Sequence, residues 1–322
     1  MTYRSDRSNL ELFEGNPSSF LENAIKEHVA ASPGNRLPAF NGDPIFDEPL
    51  VGFAHGDDVI FQDYKAIIGN FHLTPREALQ MHLQGKGSGG EKEPPKVSVI
   101  SWILPITHET RLSSRRESLV ASLRWNHTRW QGQELINELS RYLVSLLEEL
   151  GYQAVAPELA NFYEIKDLSN GPASNWSQRH IAYASGLGTF SLNDGFISPR
   201  GIAMRCGSVV SDIALSPSPR VYENHLANCL FYRDGSCRRC IERCPVGAIT
   251  EQGHDKERCR EFLLVEQRAI IKQLGREEGY LGRYPGCGLC QTKVPCEARI
   301  PPSIWGENRQ RLASPSEPTS SC

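Results

Sequence analysis

Eight cysteines crowd the last third of this chain: Cys229, Cys237, Cys240 and Cys244, then Cys259, Cys287, Cys290 and Cys296, while the first 205 residues hold none. Thiolates are soft ligands, and such a concentration means either disulfides or metal. A disulfide framework suits a small secreted domain, not a chain of 322 residues whose larger part builds a cysteine-free core. The clustering says metal, as structural zinc or as iron-sulfur clusters. Zinc accounts for "CGLC" taken alone, but not readily for a run that ends on Cys-Pro and continues "VGAIT".

The first group, "CLFYRDGSCRRCIERCP", is similar to the C-x2-C-x2-C-x3-C-P run of two-cluster bacterial ferredoxins, with its first gap widened to seven residues. In those proteins three thiolates hold one cube and the cysteine before proline ligates the other. The same crossing assigns Cys229, Cys237, Cys240 and Cys296 to a cluster A, and Cys244, Cys259, Cys287 and Cys290 to a cluster B. Two four-thiolate sites for 4Fe-4S cubes are filled with no remainder. The inserted "LFYRDGS" is expected to loop over cluster A and alter its solvent cover. Cys206, in an apolar strand, and Cys322, at the end of the chain, are left without a role.

Other elements must position these ligands. "VSVISWILPI", Val97 to Ile106, is β-branched, apolar and bounded by prolines, as a buried strand is. In "GQELINELSRYLVSLLEELGYQAVAPEL" leucines and an isoleucine recur at three- and four-residue steps up to Leu150, with Gly151 as the C-terminal stop, and "YQAVAPE" follows as a strand. "RCGSVVSDIAL" predicts a further strand over Arg205 to Leu215. Upstream, Thr74, Pro75 and Glu77 have the pattern of a capping box, starting a helix that runs to the glycine- and charge-rich stretch Gly85 to Lys96. The expected fold is α/β or α+β. It divides into a helical and irregular N-terminal region (1–96), an α/β core (97–222), a ferredoxin-like domain with two 4Fe-4S clusters (223–305) and a disordered tail (306–322).

Charge is nearly balanced at -3, with no basic block, so nucleic acid is not the expected partner. The N-terminus lacks an apolar leader core and a twin arginine, and no uncharged apolar run reaches the ~18 residues of a membrane span. A cytoplasmic location without a membrane is expected.

The stretch "SQRHIAYASGLGTFSLNDGFISPRGIAMRCGSVVSDIAL", Ser177 to Leu215, leads into the double cysteine motif. Its Gly-Leu-Gly turn, "ISPRG", arginine and "VVSD" strand resemble the cobalamin-dependent reductases, the superfamily of the epoxyqueuosine reductases and the reductive dehalogenases. The likeness runs from about Val97 to Pro301. It implies a nitroreductase-like α/β domain holding base-off cobalamin, followed by the two-cluster domain. An external donor of ferredoxin or flavodoxin type would supply electrons, which pass through both cubes to cobalt. In "SGLGT" the glycines Gly186 and Gly188 would let the backbone approach the corrinoid beside Leu187, while Ser185, Thr189 and Ser191 would donate hydrogen bonds to it. The alternative for these glycines is a helix C-cap and tight turn.

The chain also departs from that pattern. Thr189 stands where the dehalogenases have an acidic residue, and "SNGPASNWSQRH" lacks the acidic proton donor of the epoxyqueuosine enzymes. Their tRNA-engaging C-terminal extension has no counterpart here. These departures point away from tRNA and toward a small-molecule substrate. Arg205, Tyr183, His180 and Tyr163 are then the candidates for polarising a substrate or delivering a proton, with Asn175 as an anchor. The competing reading is a ferredoxin-like electron-transfer protein without a corrinoid.

Overall fold

A computed structural model describes residues 7–85 and 96–304. The stretch 86–95 of the expected loop and the tail 306–322, with Cys322, lie outside them. Four strands make the central sheet, in the order Leu50–His55, Ser98–Pro105, Met204–Ser211 and Ala154–Val155, every neighbouring pair antiparallel. Ser98–Pro105 is buried along its whole length, as its unbroken apolar run requires. Facing it across the ladder, Gly207 is opposite Trp102, and a Cβ there would stand 2.5 Å from the indole. Only glycine leaves room for that ring.

The leucine-rich segment is the C-terminal half of a helix of 27 residues, Leu123–Glu149, whose first turn is capped by the Ser122 hydroxyl accepting from the Trp125 amide at 3.1 Å. Leu135, Ile136, Leu139 and Leu143 bury its inner face against the sheet and against Leu21, Ile25 and Val29 of the helix Pro17–Ala31. The capping box at Thr74 is formed on both sides. The Glu77 amide donates to Thr74 Oγ1 at 3.2 Å and the Thr74 amide to the Glu77 carboxylate at 2.8 Å, opening the helix Pro75–Gly85.

One expectation needs correction. Residues before 97 are not a separate helical region, because Leu50–His55 pairs with Ser98–Pro105 over six positions and the helix Pro17–Ala31 builds the same core. The sheet is antiparallel, with Met204–Ser211 between the two strands that flank the long helix. The mixed α and β class itself is as expected. Beyond residue 222 only short helices and the two-residue hairpin Ile249–Thr250/Gly253–His254 remain, wrapped around the cysteines. Among the described residues no helix is long and apolar enough to cross a membrane.

Candidate redox site

The eight cysteines face two openings. Cys229, Cys237, Cys240 and Cys296 line one together with Leu230 and Phe231. Cys244, Cys259, Cys287 and Cys290 line a second, a cavity of about 370 Å³. All eight are free thiols. Burial raises Cys240 and Cys287 to about 12 and holds Cys290 and Cys296 well above the usual thiol range, and besides burial each feels its neighbours. Cys229 and Cys237 act on Cys240 and Cys296, while Cys244 and Cys259 act on Cys287. Cys290 feels Cys240 as well as Cys287 and Cys259, so the two sets adjoin. Such thiols hold their protons at neutral pH until a metal displaces them. Among the described residues no three of His, Cys, Asp or Glu close on a point that one ion would occupy. Two separate sets of four soft donors suit cubes of iron and sulfide better than single ions.

Each ligand loop is fixed to the α/β part. The first turns of the long helix grip residues 279–288: Asn126 Nδ2 donates to the carbonyls of Leu281 (3.1 Å) and Pro285 (3.0 Å), and Trp130 Nε1 donates to that of Tyr284 (3.0 Å). Gly286 and Gly288, at φ of +78° and +67°, then let "GCGLC" fold back across Trp125. Arg243, one residue before Cys244, donates to the carbonyls of Glu117 (2.8 Å), Ser114 (3.2 Å), Leu289 (3.2 Å) and Thr292 (3.1 Å). Glu297, beside Cys296 and 2% exposed, takes Arg115 Nε on both carboxylate oxygens at 2.8 and 2.9 Å and Arg111 Nε at 3.4 Å. Isolated buried charges would be costly; here each meets several partners.

The second opening continues into a cavity of about 310 Å³ that shares Arg179, Gly195, Met204, Arg205 and Gln291 with it and reaches Tyr163, Trp176 and Gln178. Arg205 lies at the junction, beside the end of the strand Ser98–Pro105. Its Nη2 donates to Gln133 Oε1, its Nε is buried without a partner, and burial followed by Arg129 lowers it to about 10. Tyr163 lines the far end with its phenol raised by burial and by Glu158, and so protonated. Of the candidates for substrate chemistry, these two face the joined cavity.

The others do not. His180 is lowered to about 3 by burial; its Nδ1 meets Ser177 Oγ at 2.8 Å and its ring packs between Tyr64 and Phe190. Tyr183 packs beside Phe190 and lines neither cavity. Asn175 is a brace, with Nδ2 on the Phe162 carbonyl at 2.8 Å and Oδ1 accepting from the Glu164 amide at 3.1 Å. The Gly-Leu-Gly stretch is a helix C-cap and tight turn closed over by protein. A Cβ on Gly186 would meet the Pro219 carbonyl at 2.5 Å, and one on Gly188 the Ile197 carbonyl at 2.3 Å. Ser185 and Leu187 are buried, with a Cβ on Gly52 of the edge strand 2.3 Å from the Ser185 carbonyl. Thr189 Oγ1 accepts from the Asn228 amide, and Ser191 Oγ donates to Asn193 Oδ1 beside the first cysteine set. Backbone carbonyls approach both glycines.

Residues 234–297 match the family described as the 4Fe-4S double cluster binding domain, a span that takes in every clustered cysteine except Cys229. The chain is 28% identical over 173 residues to the epoxyqueuosine reductase of Synechocystis sp., covering 52% of this chain and 53% of that protein. It is 24% identical over 165 residues to that of Bacillus anthracis, covering 51% and 37%. Over about half its length the chain is similar to the epoxyqueuosine reductases. It spans about half or less of the length of these relatives. A solved epoxyqueuosine reductase with a tRNA-Tyr epoxyqueuosine-modified stem loop is similar at 17% identity and a TM-score of 0.42, over 86% of this chain and 65% of that one. These relatives overturn the expectation of a small-molecule substrate and no nucleic acid. Near-neutral net charge averages over a whole surface and does not report a local RNA-binding face.

Sequence reasoning missed Arg129, Arg179, Gln133 and Tyr284, all on the cavity wall. The signal for the first was the pair of tryptophans in "LRWNHTRW", which marks a polar helical turn with a packed partner.

Proposed function

We propose that this protein is an iron-sulfur reductase of the epoxyqueuosine reductase kind, acting on a modified nucleoside carried in tRNA. The observation that carries the reading is the division of the eight thiols into two adjoining sets of four, the second opening onto the joined cavity. Cys229, Cys237, Cys240 and Cys296 would hold one 4Fe-4S cluster, and Cys244, Cys259, Cys287 and Cys290 the other. An external donor of ferredoxin or flavodoxin type would load the first, whose wall carries Leu230 and Phe231, next in sequence to the exposed Tyr232.

The cofactor that the superfamily implies is cobalamin, and the joined cavity suits it in one respect. The buried, unpartnered Arg205 Nε offers a donor, and the Gln291 amide a donor and an acceptor, of the kind an amide-fringed ring requires. When bound, cobalamin supplies a strongly reducing nucleophilic metal centre. The chain's own residues would do the rest. Arg205 would orient polar groups from the sheet end, Trp176 and Met204 would exclude water, and the Tyr163 phenol, held protonated by its burial, would give up the proton that reduction requires.

Protein reconstituted anaerobically is the test. Addition of cobalamin should convert its absorption spectrum to a base-off form, and epoxyqueuosine-containing tRNA with a low-potential donor should yield the reduced nucleoside by mass spectrometry. An unchanged cobalamin spectrum together with intact tRNA would leave only electron carriage and refute the reductase reading.

A further inference from the structure

Three guanidinium groups from three elements meet on the joined cavity: Arg129 from the long helix, Arg179 from the helix Gln178–Ala184 and Arg205 from the strand Met204–Ser211. Their hydrogen-bond partners are all neutral. Arg129 Nη2 donates to the Tyr284 hydroxyl at 2.6 Å, Arg179 to the main-chain carbonyl of Asp194, and Arg205 to the side-chain oxygen of Gln133. Among the described residues none of the three has a carboxylate in ion-pair contact. Among the described residues Glu158 is the one carboxylate lining the cavity, and it accepts from Gln178 Nε2 at 3.0 Å; the Asp194 carboxylate, 3.2 Å from His254 Nδ1, also feels Arg179.

Arg205 is buried beside Arg129, which acts against its charge. Two guanidiniums that repel one another, one with a buried and unpartnered Nε, are costly in a part-buried site unless an anion joins them. Arginine forks pair with phosphate oxygens two at a time, which suits donors arriving from facing elements.

We propose that Arg129, Arg179 and Arg205 form a phosphate-binding site in the cavity beside the second cysteine set. The proposal rests on the reductase reading only for the source of the phosphate. That source is either the nucleotide loop of cobalamin or the backbone of the RNA substrate, and the chemistry at the arginines is the same.

Titration calorimetry of the cluster-loaded protein with inorganic phosphate tests this. Phosphate should bind, and R205Q and R129Q should each weaken it about tenfold or more, the loss expected for one charge-assisted pair. R238Q, on a surface arginine paired with Glu251, should bind as the wild type does, with iron and sulfide content the same in all four proteins. Competition then names the source. Displacement by cobalamin but not by cobinamide, which lacks the phosphate, assigns it to the cofactor; displacement by a 5′-mononucleotide assigns it to the substrate. No heat with the wild type, or equal affinity in R205Q, overturns the site. Phosphate binding in a protein that leaves the cobalamin absorption spectrum unchanged would keep the site and fail the corrinoid reading alone.

Discussion

Gly288 lies so close beneath Trp125 that a Cβ on it would stand 2.0 Å from the indole carbons, at a backbone φ of +67° that only glycine adopts without strain. The long helix and the loop carrying Cys287 and Cys290 thus meet without an atom to spare. Gly288→Ala should displace the loop and empty cluster B, so iron content falls from about eight to about four per chain. Gly275→Ala is the control, because its φ is +64° but nothing lies within 4 Å of its Cβ. It should cost only about 1 kcal/mol and keep its iron. Iron analysis and EPR of the two variants check this; full iron in G288A would contradict it.

Arg243 joins four carbonyls from two parts of the chain, those of Ser114 and Glu117 and those of Leu289 and Thr292. Arg243→Met leaves them facing a methyl group. A loss on the order of 2–4 kcal/mol is expected, from broken charged hydrogen bonds and stranded acceptors. Denaturant unfolding of the holoprotein would measure it, and a change below about 0.5 kcal/mol would show the contacts to be dispensable.

His72 is wholly buried, stacked on Trp176, with Nε2 accepting from the Ser177 amide at 3.2 Å. Burial, then Lys65, lowers it to about 4. Its folded state therefore binds fewer protons than the unfolded chain between about pH 6.5 and 4. That stability is fully present above pH 6.5 and is lost as pH falls toward 4, by about 1.4 kcal/mol per unit. His72→Gln keeps an acceptor and removes the titration. Between pH 6.5 and 5.5 the wild type should lose about 1 kcal/mol more than H72Q; parallel curves would rule out this histidine.

Phe231 stands on the wall of the first cysteine set, in the short helix Leu230–Asp234 made by the widened cysteine gap. Phe231→Ala should admit water to cluster A and speed its bleaching in air severalfold, while cluster B bleaches as before. Equal rates in the mutant and the wild type would show that this ring does not shield the cluster.

The cysteine sets were legible because ligand spacing is a local property that covalent chemistry enforces. The capping box at Thr74 and the strand over Ser98–Pro105 were legible for similar reasons. The edge strand Leu50–His55 was not, since its glycine at position 52 breaks the apolar pattern and is there to let the Ser185 carbonyl approach. The Gly-Leu-Gly turn was legible as a turn but not in its surroundings, because the Pro219 and Ile197 carbonyls that crowd its glycines come from elsewhere in the chain. Asn175 and His180 were chosen for residue type, yet their polar groups are spent on neighbouring backbone and on Ser177. The arginine site draws on positions 129, 179 and 205, so no local motif announces it.

The central claim is that eight thiols in two sets hold two 4Fe-4S clusters. Iron and acid-labile sulfide should each be about eight per chain in anaerobically prepared protein, and Cys290→Ser should abolish the EPR signal of one reduced cluster while sparing the other. Zinc without labile sulfide, or one mutation extinguishing both signals with the fold intact, would contradict it.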